Sequence, residues 1–177
     1  MTLTAPKASN LTRMKTLLVL RHAKSSWDDS ALDDQKRPLN KRGRRDGPRM
    51  GELVREYRLT PDVIISSDAV RAQLTAEAVA QAAGYAGDIL LDPHLYMASP
   101  ADILSVLRTM RETKAETVMI VGHNPGLEEL VAQLTGDQQD LPTAALAQIV
   151  LSIDEWRDLK LSTHGTFVGL WRPKELR

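Results

Sequence analysis

Three apolar runs, Leu17-Leu18-Val19-Leu20, Val63-Ile64-Ile65 and Val118-Met119-Ile120-Val121, constrain this chain most, because each ends in a polar turn and is followed by a helical pattern. Runs this short and this uniformly apolar suit strands buried on both faces. Strand, turn and helix in repeated order require crossover connections, which are right-handed and build a largely parallel sheet covered by helices on both sides. Two of the runs lead straight into a histidine: Arg21-His22 follows the first and Gly122-His123 the third. In open α/β sheets the carboxyl ends of the strands border a crevice lined by helix N-termini, so both imidazoles are expected at the ligand-binding edge.

The remaining elements follow from the same periodicities. A polar loop over 23–36 with Asp28, Asp29, Asp33 and Asp34 leads to a helix that runs through Tyr57, with Asn40 as its N-cap and Met50, Leu53, Val54 and Tyr57 on one face. Residues 62–66 read as a strand, Asp68 as a helix cap, 69–83 as a helix and Gly84 as its stop. Residues 88–91 form a further strand, Ser99-Pro100 starts a helix carrying Ile103, Leu104, Leu107 and Met110, and Asn124-Pro125-Gly126 leads into another that ends at Gly136. Residues 145–153 and 166–171 read as two final strands in an antiparallel pair. No repeat or linker divides residues 14–177, which are read as one domain behind a loose tail over 1–13.

Composition narrows the function classes. Lys+Arg and Asp+Glu both number 23, so the net charge is zero and no global field favours nucleic acid or an anionic membrane. The chain has no cysteine, which excludes disulfides, thiolate nucleophiles and thiolate metal sites. The first residues lack the apolar stretch of a secretory leader, and no run approaches the ~20 apolar residues that span a bilayer. A cytoplasmic monomer with neither nucleic-acid nor membrane partners is the expectation.

A histidine after a strand, taken singly, is most often a hydrogen-bonded loop residue. Two of them, with Arg21 beside one and Arg71 in the helix after the second strand, form a set suited to phosphoryl transfer. That reaction needs a nucleophile and positive donors around the phosphoryl oxygens. His22 offers the nitrogen nucleophile, Arg21 and Arg71 offer forked donors, and His123 offers a further donor. His94 and His164 have no comparable company. Lys41, Arg42, Arg44 and Arg45 read as a solvated helix face from which Lys41 and Arg44 could reach an anion. Nucleotide-binding glycine loops and zinc motifs are missing from the sequence, and neither metal nor cofactor is expected. The acidic loop of Asp28 to Asp34 reads as solvated, with a hard cation as the lesser reading.

The motif Leu20-Arg21-His22-Ala23-Lys24-Ser25 resembles that of the histidine phosphatase superfamily, in particular its SixA-like branch of small phosphohistidine phosphatases with the phosphoglycerate mutase-like fold. The matching pieces continue through Arg37-Pro38-Leu39 with Gly43-Arg44, Ser66-Ser67-Asp68-Ala69-Val70-Arg71-Ala72-Gln73-Leu74-Thr75-Ala76, Val121-Gly122-His123-Asn124-Pro125-Gly126 and Trp171-Arg172-Pro173. The resemblance implies a three-layer α/β/α sandwich with a mostly parallel central sheet. It implies that His22 is transiently phosphorylated, that Arg21, Arg71 and His123 form the phosphate pocket, and that Ser25, Lys24 and Asn124 contact substrate. The implied partner is a phosphohistidine protein; small phosphate esters and a non-catalytic phosphate-binding module are the alternatives. Arg-His-Ala-Lys in place of Arg-His-Gly argues against a mutase.

Met97 occupies the connection where relatives carry an acidic or polar residue, and it cannot donate a proton. Unless Asp92, Asp102 or the acidic loop replaces that donor, substrates with good leaving groups, such as imidazole or an aryl oxygen, are favoured.

Overall fold

The structure, a computed structural model, describes residues 13–112 and 114–176. Residues 1–12 of the expected tail lie outside the described residues; the backbone N–H of Arg13 donates to Asp154 Oδ1 at 2.7 Å. Six strands form one sheet: β1 (Lys15–Arg21), β2 (Val63–Ser66), β3 (Ile89–Leu91), β4 (Thr117–Gly122), β5 (Leu146–Leu151) and β6 (Gly165–Trp171). Their order is β3-β2-β4-β1-β5-β6. The pairs β2·β3, β2·β4 and β1·β4 are parallel, whereas β1·β5 and β5·β6 are antiparallel. The antiparallel part therefore reaches the centre of the sheet, one strand further than the sequence pattern indicates.

Four helices cover the two faces: α1 (Lys41–Glu56), α2 (Val70–Ala83), α3 (Pro100–Thr109) and α4 (Gly126–Thr135). Alternation along β1 shows why the strands are apolar throughout. Leu18 and Leu20 join the core under α1 and α2 with Met50, Val54 and Val79; Leu17 and Val19 join the core under α3 and α4 with Leu107, Leu127 and Trp156. Every one of these side chains is at most 1% exposed, and burying each stabilises the fold by roughly 1.5–3 kcal/mol. The α1–α2 packing is close: a Cβ on Gly51 would lie 2.6 Å from both Ala82 Cβ and the Val79 carbonyl.

Local end signals place the helices where the site needs them. Asn40 accepts a hydrogen bond from Gly43 N, Ser99 and Asp102 form a reciprocal capping box, and Gly84 ends α2 in the left-handed region. Asp68 is not a cap, contrary to the sequence expectation. The N-cap of α2 is Ala69, and the Asp68 carboxylate instead accepts from Gln35 Nε2 at 2.7 Å, tying the acidic loop to the start of α2. Among the described residues, no helix is long and apolar enough to cross a membrane.

Candidate active site

β1 and β4 are parallel neighbours in register, with Arg21 opposite Gly122, so their following residues emerge side by side. The rings of His22 and His123 stand 5.1 Å apart between centroids, and both side chains are buried. His22 Nδ1 lies 2.8 Å from the Ala23 carbonyl oxygen, which can only accept; the ring proton is therefore on Nδ1, and Nε2 keeps its lone pair. Burial pushes the His22 pKa down to about 4, the Ala23 hydrogen bond opposes this, and the positive charges of Arg71, Arg21 and Arg37 push further down. A neutral imidazole with a free Nε2 is a nucleophile in its reactive form.

Arg71 comes from the first turn of α2, and its side chain is 3% exposed rather than solvated. Its Nη1 donates to the Asp34 carbonyl at 2.6 Å and its Nη2 to Asp34 Oδ2 at 2.9 Å, while Nη2 is 3.4 Å from His123 Nδ1. His123 Nε2 is 2.8 Å from Ser67 Oγ, which also accepts from Ala69 N. Burial, with the nearby His22 and Arg71, pushes the His123 pKa down to about 3. Arg21 donates through Nη1 to the Leu141 carbonyl at 2.8 Å. Burial lowers its pKa and the Glu128 carboxylate raises it. Arg21 Nε and Arg71 Nε are buried N–H donors without a hydrogen-bond acceptor among the described residues. Unpaired buried donors are costly, and two on guanidinium groups beside a nucleophilic ring suit an oxyanion.

The acidic loop holds what sequence reasoning missed. Asp34, although 46% exposed, is no free carboxylate: besides Arg71, it takes Arg37 Nε and Nη2, both at 3.0 Å, and the Tyr96 hydroxyl at 2.7 Å. These donors, with Tyr96 the largest contributor, lower its pKa to about 2. The hydrogen bond to Asp34 in turn raises the Tyr96 pKa. Arg37 continues the chain of contacts through Nη1 to Ser25 Oγ at 2.9 Å. The one sequence signal for this hub is the Asp34–Arg37 spacing of three residues, which a short 3-10 turn (Asp34–Lys36) converts into a contact.

The expected substrate contacts divide. Ser25 is buried and held by Arg37. Asn124 donates to Glu128 Oε1 and the Leu141 carbonyl, leaving its buried Oδ1 without a partner among the described residues. Lys24 contributes its backbone, accepting from Asn40 N. Arg44 turns its guanidinium to the Leu39 carbonyl. Asp102 is occupied in the capping box and Asp92 caps the turn Pro93–Leu95 while pairing with His94, so neither stands as a spare acid. Met97 is 54% exposed with φ 48°, beside Tyr96. Among the described residues, no group of three or more His, Cys, Asp or Glu side chains is placed to hold a metal.

The two depressed histidines link folding to pH. Both are neutral in the folded protein at pH values where an unfolded histidine, with a pKa near 6.5, takes up a proton. Below 6.5 the unfolded state binds more protons, so stability is full above that value and falls as pH drops toward 4. Thermal unfolding followed by circular dichroism is expected to give a lower midpoint at pH 5 than at pH 7. Replacing His123 with Gln is expected to flatten that slope.

Residues 17–96 match the model of the histidine phosphatase superfamily (branch 1). An uncharacterized chloroplastic protein of Arabidopsis thaliana is 30% identical over 152 residues, covering 81% of this chain and 70% of that protein. The structure of the SixA-designated protein from Agrobacterium tumefaciens is 29% identical, with a TM-score of 0.74 over 90% of this chain and 98% of that one. The structure of the protein histidine phosphatase SixA complexed with tungstate superposes with a TM-score of 0.79 at 22% identity, covering 92% of this chain and 99% of that one, a likeness of fold.

Proposed function

Because the chain belongs to the histidine phosphatase superfamily, we propose that it removes the phosphoryl group from phosphohistidine on a protein, with His22 as the transient carrier. The observation that carries this reading is the pairing of a ready nucleophile with the engagement of Asp34, Asp92, Asp102 and Tyr96 in other contacts. His22 presents Nε2. Asp34 is ionised and bound by three side chains, Arg37, Arg71 and Tyr96, and Tyr96 spends its proton on Asp34.

In the first step the Nε2 lone pair forms a bond to phosphorus as the substrate's N–P bond breaks, and that bond's electrons return to the substrate ring. The ring departs as neutral imidazole when its other nitrogen carries a proton from solvent, so no acid is needed at the atom losing phosphorus. An alkoxide has no such second site for a proton and calls for a donor, whose help is ordinarily worth roughly 10²–10⁴-fold. Phospho-His22 is the same species as the substrate group, with Nδ1–H held by Ala23. Water attacks it, the P–N electrons return to Nε2, and the water proton leaves with phosphate or solvent.

In this reading the Nε–H groups of Arg21 and Arg71, buried and unpaired among the described residues, serve the phosphoryl oxygens. Arg71 Nη2 can only donate, so its contact with His123 Nδ1 puts the ring proton on Nε2, which donates it to Ser67 Oγ and fixes the ring beside Arg71. The test is turnover of a phosphohistidine protein against sugar phosphates at equal concentration. We expect kcat/KM at least a hundredfold higher for the former; a preference for sugar phosphates overturns the reading in favour of small esters.

A further inference from the structure

Trp27 is 71% exposed, the most exposed large hydrophobic side chain among the described residues. Its ring does not hang free. The Arg37 guanidinium carbon lies 3.5 Å from the ring centroid, so the cation covers one face of the indole. Arg37 is itself 7% exposed and held through all three nitrogens: Nε and Nη2 on Asp34, Nη1 on Ser25 Oγ and the Ser26 carbonyl. The indole therefore rests on a plane that cannot swing away.

That plane belongs to the site. Arg37 shares the Asp34 carboxylate with Arg71 and Tyr96, and its charge is felt at His22. The edge of the Tyr96 ring meets His123, with centroids 5.4 Å apart. Trp27 is thus joined to the reacting centre through one tied side chain, with a broad flat surface left uncovered. Neither phosphate binding nor His22 chemistry uses that surface.

Resting on the reading of His22 as phosphoryl acceptor, we propose that Trp27 determines specificity for the leaving group, its outer face stacking on a planar aromatic ring that bears the phosphoryl group. An imidazole and an aryl ring both qualify; a chain alcohol or a sugar does not. The preference then has two separate origins: the engagement of Asp34 and Tyr96 with each other favours leaving groups that need no acid, and the indole selects flat rings among them.

Two experiments read this directly. The first compares Trp27→Ala and Trp27→Phe on a phosphohistidine peptide, 1-naphthyl phosphate and phosphoramidate, which has a P–N bond and no ring. Trp27→Ala is expected to raise KM about tenfold on both aromatic substrates, the scale of one stacked aromatic pair. Phosphoramidate kinetics should stay within about twofold, and Trp27→Phe should recover most of the loss. Equal losses on all three substrates, or none on the aromatic pair, overturn the proposal.

The second uses non-hydrolysable phosphonates and acrylamide quenching of tryptophan fluorescence. Trp156 is buried and Trp171 partly so, which leaves Trp27 as the main quenched ring. Benzylphosphonate is expected to shield Trp27 and methylphosphonate to leave it exposed; identical quenching with both overturns the proposal. Failure of the phosphatase reading shows differently, as absence of turnover on every substrate, with the phosphonate measurement still deciding the role of Trp27.

Discussion

His22→Ala is expected to abolish turnover and covalent labelling together. With labelled phosphohistidine protein and rapid quenching, the wild-type chain should trap acid-labile, base-stable phosphate on His22, and the variant should trap none. The expected loss in kcat is roughly 10⁴-fold or more, because removing the nucleophile of a cooperating set costs about as much as removing the set. The geometry makes the effect specific to one ring. His22 has Nδ1 fixed by Ala23 and Nε2 open, whereas His123 is bound through Nε2 to Ser67 and has Nδ1 against Arg71. His123 is poorly arranged to take over. Label on His123, or turnover unchanged in His22→Ala, would sink the assignment of roles. The variant should still bind inorganic phosphate, since Arg21 and Arg71 remain, which separates lost chemistry from a lost fold.

Arg71→Gln carries the second large effect. Arg71 touches both the anchoring loop, through two contacts with Asp34, and the pocket, through His123. Removing a preorganised donor to a developing oxyanion costs roughly 10²–10³-fold in kcat, and loss of the fork weakens phosphate binding as well. Both kcat and the inhibition constants of phosphate and vanadate are therefore expected to worsen. Arg71→Lys should recover little, because a compact ammonium lacks the planar fork whose separate nitrogens hold the Asp34 carboxylate and carbonyl while facing the pocket. Unaltered inhibition by vanadate in Arg71→Gln would remove Arg71 from the phosphate pocket.

Strands and helices were legible wherever a local pattern carried them: uninterrupted apolar runs for β1, β2 and β4, capping residues Asn40 and Ser99, and the stops Gly84 and Gly136. The site was legible for the same reason. Strand ends and the first turn of a helix fix where Arg21, His22, Arg71 and His123 emerge, and parallel register brings them together. Asp34 was not legible as a hub. In a stretch with Asp28, Asp29 and Asp33, local pattern cannot say which carboxylate meets Arg71 and Tyr96, distant in sequence, because tertiary folding makes that choice. Asp68 was misread because the same composition that favours an N-cap also serves a side-chain contact to Gln35. The β1·β5 pairing was beyond periodicity, since strands far apart along the chain leave no local mark of adjacency.

That reversed pairing shapes what the molecule can become. A parallel neighbour would end at the site's edge as β4 does; β5 begins there instead, so the segment entering it forms the wall beside Arg21. The Leu141 carbonyl receives both Arg21 and Asn124, and the Ala144 N–H meets the carbonyls of Arg21 and His22. These hydrogen bonds to the reacting residues come from the wall's backbone. The exposed side chains along the wall, at 137, 138, 140 and 142, are thereby open to exchange that alters the approach of a partner, while Leu141, fully buried in the core, holds the wall in place.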